Sequence, residues 1–579
     1  MNPPGPFGGK LERVSGVANR RAAGWLGLAL IVLLSAFAAM HPIRDPDFGW
    51  HLALGRYVAE HHSVPTTEPF THTAFGAPMV AHEWLSQLLL YGGAKTGGIL
   101  GLRLLHAAAV ALLLAGFFAM ARRAGSPPAI ALLTVLAYAL IARSRLELRP
   151  QMFNLAATMA LYQFVFLSRP SLRPRQLLAI GAAVALWTNL HAGAVLFPVL
   201  ASIYFGVEVV TQRSGWRPPR PDDLGGGSLL RLGALAATSF VAVLCTPYHV
   251  RLLPYLLETG RVNRGLSAEW SSIMDFWGDP LNFPLELETL AMAGVCVVAA
   301  AVFRVRKDAP SQIAVVLFLA LLPLVGQRFV DLYFAPLLFA ATALSQWLRN
   351  VELGPVRRQL TIVLATLCVA VIGPWAIGSQ LVGQPLGLWL SRQGNFQPVS
   401  FPSGAVSFLE QVQLEGRLFN IERWGGYLLL RTYQQYPIFI DGRWVTIGRE
   451  VARDALAIER RLEGTFEKLD AYGVDIMLLP RGWMTQEIAR ERGWVAAFEN
   501  FNAGVYLRAG AGADLARCRD YYAARNIPFD PEVGFEGREA QRANPEWASR
   551  FRVEPRYVDH FRLWGNPIGV SPRRVVNRW

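Results

Sequence analysis

The sequence predicts a polytopic α-helical membrane protein of about eleven spans, followed by a C-terminal α/β domain outside the membrane. Three observations predict it. Of 579 residues, 53% are apolar and only 17% are charged, against roughly 25% charged in an ordinary soluble chain. Apolar runs of near-spanning length recur from residue 24 to residue 378 and then stop. Lys and Arg sort between alternate loops, the signature of an oriented membrane protein. Soluble, disordered and disulfide-knot architectures are excluded. The four cysteines, Cys245, Cys296, Cys368 and Cys518, have no metal-ligand spacing and mark neither a disulfide framework nor a zinc site.

The elements follow in order. Residues 1–23 form a cytoplasmic N-terminus carrying Lys10, Arg13, Arg20 and Arg21. The first span, 24–40, exceeds the roughly 7–15 apolar residues of a signal peptide core and reads as an uncleaved anchor. Further runs lie near 99–121, 128–142, 150–167, 177–190, 191–210, 229–246, 287–303, 312–326, 330–348 and 360–378. The short run 84–94 has 11 residues, too few to cross a core that needs about 20.

Charge tests that exclusion. With 84–94 left out, loops on the N-terminal side hold 18 Lys/Arg in 75 residues, and the opposite loops hold 10 in 108. Counting 84–94 as a span reverses every later loop and makes the outer side the more basic one. Residues 84–94 therefore read as an interfacial helix on the outer face. The net charge of +14, which in a soluble protein would suggest nucleic acid, is an orientation signal here.

The membrane domain is thus 24–391, with a first outer loop at 41–98. An extracytoplasmic α/β domain follows at 392–510, with strands expected at 417–420, 437–440, 475–480 and 503–509 and helices over 424–436 and 484–493. Strand, helix and strand at that spacing predict a small parallel sheet. The Arg- and aromatic-rich tail 511–579 has weak periodicity and no assignable fold.

Polar chemistry gathers on the outer side. The first loop opens with Asp45, Asp47, Trp50 and His51 at the membrane boundary, where charge is rarely idle. Asp47 reads either as a base or metal ligand at headgroup height or as a helix cap, and Trp50 as an interfacial anchor. His82 and Glu83 precede the interfacial helix, as partners in the same site or as a first-turn acid beside an aromatic anchor. Arg143, Arg145, Arg149 and Gln151 suit a phosphate, or else Arg snorkels beside Glu147. Asn189 and His191 interrupt an apolar stretch at a span junction. The loop 247–286 carries His249, Arg251 and Glu269, and Arg328 with Asp331 opens a later span as a local ion pair.

The order of these features resembles the GT-C superfamily of integral-membrane glycosyltransferases. More narrowly, the chain is similar to a bacterial group with an Asp-x-x-Trp-His signature, matched by Asp47, Trp50 and His51. Gly55-Arg56, Val64-Pro65 and His82-Glu83-Trp84-Leu85 follow, then Arg-Pro-Gln at 149–151 and Trp-x-Asn-x-His at 187–191. Pro-Tyr at 247–248, Glu-Trp at 269–270, Gly-Gly-Tyr-Leu at 425–428 and Asp-Gly-Arg at 441–443 complete a likeness that runs through most of 24–508.

The resemblance implies a multi-pass protein of the bacterial cytoplasmic membrane. It implies sugar transfer on the outer face from a polyprenyl-phosphate donor to a glycan, lipid or protein acceptor. The bilayer would be a partner and nucleic acid would not. By position, Asp47, with Asp45 as alternate, would serve as base or as ligand to a divalent cation. Proline separates Asp45 from Asp47 where many members have adjacent acids, and Glu83 and Glu269 are candidates for a second acid. His51 would assist Asp47, Arg149 and Arg251 would hold the donor phosphate, and Trp50 or Trp187 would stack on sugar or isoprenoid. Two other readings stand beside this one. One is a non-catalytic or transport role in which Asn189 and His191 line a path. The other is a polymerase or ligase of lipid-linked glycans.

Overall fold

The computed structural model describes residues 24–33, 35, 43, 45–142, 145–168, 171–214, 226–264, 268–272, 290, 293–301, 310–350 and 400–550. These divide into two compact units. The predicted span 360–378 lies outside the described residues, as do Arg143 and the tail beyond 550.

The first unit, described over 24–35, 101–250 and 264–350, is helical. Among the described residues of the whole chain, three helical stretches are long and apolar enough to cross a bilayer: Trp84–Arg123, Ala192–Arg213 and Gln327–Arg349. At 1.5 Å per residue, the 22 residues of Ala192–Arg213 reach about 33 Å, which matches a hydrocarbon core of about 30 Å. Shorter apolar helices cover Gly24–Leu33, Pro128–Ile141, Gln151–Leu167, Leu229–Val243 and Pro310–Leu324. Their interior is aromatic: Phe117, Tyr138 and Tyr162 meet Phe334 edge to face at centroid distances of 5.4–6.5 Å. Leu104 and Leu112 on Trp84–Arg123, and Leu178 and Leu186 on the helix Pro174–Leu190, stay exposed, as a lipid-facing surface requires.

The junction expected near residue 190 is present. The helix Pro174–Leu190 ends at His191, whose backbone is extended, and a 3-10 turn Ala192–Val195 leads into Leu196–Arg213. The helix Trp84–Arg123 is broken at Gly98, with φ 64° and ψ −175°. Only glycine adopts that conformation without strain. The break separates the run 84–94 from the apolar run that begins at 99.

The second unit, described over 43–100, 251–263 and 400–550, combines the first loop with the C-terminal region. Its sheet has four strands, β1 Leu418–Asn420, β2 Ile476–Pro480, β3 Trp494–Glu499 and β4 Ala503–Arg508, in the order β1-β2-β4-β3. β1 and β2 are parallel, whereas β4 runs antiparallel to both β2 and β3. The sheet is therefore mixed, and β3 has no counterpart among the expected strands.

The expected strand 437–440 does not join the sheet. The Asn420 side chain takes its place as partner, donating Nδ2 to Ile440 O at 2.7 Å and accepting Phe439 N at 2.9 Å. Ile438 pairs instead with the first loop, through Ile438 N to Phe70 O and His72 N to Ile438 O, both 3.1 Å. Within the tail, whose weak periodicity predicts no fold, Gly512–Ala523, Gly537–Ala543 and Pro545–Ser549 form three short helices. Tyr522 donates to Ala497 O on β3 at 2.8 Å, and Phe408, Phe498, Tyr522, Phe535 and Trp547 close the core.

Candidate functional site

In the second unit, the helix Phe48–His61 packs on the helix Glu422–Thr432 through glycines. A Cβ on Gly49 would stand 1.8 Å from Gly426 O, and one on Gly426 would stand 2.2 Å from Pro46 O. This backbone-to-backbone approach carries Asp47 to the Asp-Gly-Arg segment, where a Cβ on Gly442 would meet Asp47 Oδ1 at 2.4 Å.

Asp47 occupies the N-cap position of Phe48–His61, yet its side chain makes no capping hydrogen bond. Its Oδ1 accepts from Trp50 Nε1 at 2.9 Å instead. The capping alternative is thereby set aside. Asp45 is buried and turns back on the chain, its Oδ1 accepting Asp47 N at 3.1 Å. The His51 ring lies against Trp50, tilted by 38° with centroids 3.7 Å apart, and its Nδ1 lies 3.2 Å from Gln87 Nε2 and 3.6 Å from Glu83 Oε2. His82 Nε2 lies 3.8 Å from Glu83 Oε1 and its ring faces Tyr255. Asp45, Asp47, Trp50, His51, His82 and Glu83 thus come together. Arg251, also of this unit, is exposed at the end of the 3-10 turn His249–Arg251.

Two acids that sequence reasoning missed complete this group. Glu422 Oε1 would lie 3.5 Å from a Cβ on Gly442, on the residue that also touches Asp47. Burial, together with neighbouring Asp47 and Asp441, pushes the Glu422 carboxyl up to about 8. Glu68 is fully buried and ion-paired to Arg443, with Nη1 to Oε2 at 2.6 Å. Arg443 also grips Asp441, with Nη2 to Oδ2 at 2.6 Å and Nε to Oδ1 at 2.9 Å. Burial raises the Glu68 carboxyl against the pull of Arg443. The guanidinium lies over Phe70 and Trp50, 5.4 and 5.9 Å from their centroids. Arg443 thereby links the first loop to the segment 441–443. Its motif was visible in the sequence, but its partner Glu68 lies 375 residues away and carried no signal.

In the first unit, Arg145 Nη1 meets Glu269 Oε2 at 2.9 Å, and Arg149 Nη1 meets Glu269 Oε1 at 3.4 Å. Arg149 Nη2 also lies 3.6 Å from Glu147. Gln151 Nε2 donates to Asp331 Oδ2, and Arg328 stacks on Trp270 at 4.1 Å. Burial alone would raise the Glu269 carboxyl, but Arg145, Arg149 and Arg328 outweigh it and hold it well below the usual carboxylate range.

Asn189 and His191 are engaged by backbone. Asn189 Nδ2 donates to Ala185 O at 2.8 Å and Cys245 O at 2.7 Å, tying two helix ends together. His191 Nδ1 accepts Gly193 N at 2.8 Å, beside Asn154, which holds Trp187 Nε1 at 3.1 Å. His249 is exposed, with Nδ1 3.3 Å from Leu244 O.

The divalent cation that the resemblance allows does not fit these residues. Among the described residues no three His, Cys, Asp or Glu side chains group as a metal site would require.

No known protein family matches the chain by sequence, and no curated protein does. Solved structures do match in fold. ArnT from Cupriavidus metallidurans, bound to undecaprenyl phosphate, aligns with a TM-score of 0.52 at 14% identity, over 84% of this chain and 98% of that one. The Archaeoglobus fulgidus oligosaccharyltransferase, tethered with an acceptor peptide, aligns with a TM-score of 0.50 at 12% identity, over 79% of this chain and 69% of that one. The chain therefore shares the fold of these two solved structures, and its C-terminal region contains a sheet.

Proposed function

We propose that the chain is a membrane glycosyltransferase that moves a sugar from a polyprenyl-phosphate donor to an acceptor on the outer face of the bacterial cytoplasmic membrane. The observation that carries the reading is Asp47, a carboxylate at a helix N-terminus whose side chain is aimed by Trp50 Nε1 rather than spent on capping. In the reaction Asp47 takes the proton of an acceptor hydroxyl as its oxygen bonds to the anomeric carbon. The bond from that carbon to the phosphate oxygen breaks, and its electron pair leaves with the polyprenyl phosphate. His51, set against Trp50 and held by Gln87 and Glu83, acts by positioning that indole. The known lipid of ArnT supports the donor class.

Radiolabelled undecaprenyl-phosphate sugars incubated with the purified protein test the reading. Asp47→Asn should abolish transfer, a loss of at least about a hundredfold, while the protein level in the membrane stays unchanged. Wild-type activity in that variant removes Asp47 from the mechanism.

A further inference from the structure

The arginine cluster of the first unit holds a carboxylate where a phosphate would sit. Arg145 and Arg149 each take one oxygen of Glu269, at 2.9 and 3.4 Å, and Arg328 adds its field from the ring of the adjacent Trp270. The backbone places Glu269 there: Ser271 O accepts Gln327 N at 2.8 Å, which fastens the turn Ala268–Trp270 beside Arg328. Three guanidinium groups face three carboxyls, those of Glu147, Glu269 and Asp331. An added anion would unbalance that set unless one carboxylate left. Asp331 is buried and accepts from Gln151, and the Glu147 side chain is 21% exposed. Glu269 is 39% exposed and sits on a three-residue turn, so it is the easiest to displace. The side chain of Arg145 is only 6% exposed, and its Nε has no hydrogen-bond partner among the described residues. Glu269 thus leaves one buried donor of its strongest partner unused. A tetrahedral phosphate offers more acceptor oxygens than a carboxylate and suits a guanidinium fork.

We propose that Glu269 is an exchangeable counter-ion: it keeps Arg145, Arg149 and Arg328 assembled while the site is empty and is displaced by the phosphate of an incoming ligand. The swap replaces one anion by another, so the arginines are never left unpaired. The identification of that phosphate as a polyprenyl phosphate rests on the function proposed above; the exchange itself does not.

The test is equilibrium binding of undecaprenyl phosphate, without sugar, to the full-length protein in lipid nanodiscs. Glu269→Gln removes the competing charge and should bind about tenfold tighter than wild type. Glu269→Asp keeps the charge and should bind as wild type does. Arg145→Gln should bind at least tenfold more weakly. Inorganic phosphate added as competitor separates the sources: displacement of the lipid assigns the site to free phosphate, and no displacement assigns it to the lipid. In both cases the exchange requires the tighter Glu269→Gln complex. Unchanged or weaker binding by Glu269→Gln, whether through a merely structural role or through misfolding, overturns the exchange. Tighter binding without any sugar transfer would overturn the glycosyltransferase reading and leave the exchange standing. Transfer with no tightening would do the reverse.

Discussion

Asp47 and Glu422 touch the same glycine, Gly442, and one of the two carries a proton at neutral pH. That has a consequence for stability. Glu422 releases its proton near pH 4.3 when unfolded, roughly the free glutamate value, and near about 8 when folded. Its contribution is fully present below the lower value and is lost as pH rises to the upper one. Glu422→Gln should therefore gain melting temperature over wild type, by little at pH 5 and by progressively more up to pH 8. A difference that is flat with pH, measured by scanning fluorimetry, would show that the carboxyl titrates normally. Arg443 makes the opposite case. Replacing it with Met leaves Glu68 and Asp441 buried without their guanidinium, at a cost of about 3–5 kcal/mol. The loss should shrink at pH 5, where the stranded carboxyls take up protons, and denaturant unfolding at two pH values reads it directly.

At the scale of elements, glycines decide where the first loop meets the C-terminal helix. Gly49→Ala puts a methyl 1.8 Å from Gly426 O, where no side-chain motion relieves it. The helix pair should separate at a cost of about 1–3 kcal/mol. Gly55 repeats the approach one and a half turns on, with a Cβ position 2.1 Å from Gln87 O. By contrast Gly448→Ala should be tolerated sterically, although its φ of 101° makes it strained. Thermal melts of Gly49→Ala and Gly448→Ala compare a clash with strain alone, and equal losses would refute the close-packing account. These glycines show what a sequence can convey. Gly426 and Gly442 stood out within motifs, but they meet Pro46, Asp47 and Trp50, hundreds of positions earlier. Apolar periodicity marked β2 and β4 because each is a continuous buried run. It misplaced 437–440 because Asn420, a polar residue inside the preceding strand, supplies the hydrogen bonds a neighbouring strand would have made. Glu68 and Glu422 were invisible for the same reason. Their chemistry comes from Arg443 and Asp47, which only the tertiary fold delivers.

At the scale of the whole chain, the composition of the second unit constrains the topology. Residues 43–100, 251–263 and 400–550 belong to one compact body, and we propose that all three lie on the same side of the membrane. The chain must therefore cross an even number of times between the first and second segments and again between the second and third. The apolar runs satisfy this: six lie between residues 99 and 246, and four between 287 and 378. Making 84–94 an additional span would separate Asp47 and Glu83 from the C-terminal residues they fold with. Parity and charge counting agree, although they use different residues. Charge alone then chooses the side, since the loops opposite the N-terminus carry the fewer Lys and Arg. A single cysteine at Glu539, an exposed position on the helix Gly537–Ala543, reads that side. In a background lacking the four native cysteines, a membrane-impermeant maleimide should label Glu539→Cys in intact spheroplasts. Lys10→Cys should react only after permeabilisation. Labelling of Lys10→Cys from outside would invert the orientation, and opposite accessibility of Glu539→Cys and a cysteine at the exposed His62 would break the single-unit account. Agreement of those two positions, with Lys10→Cys protected, would place Asp47 on the face where a lipid-linked sugar must be received.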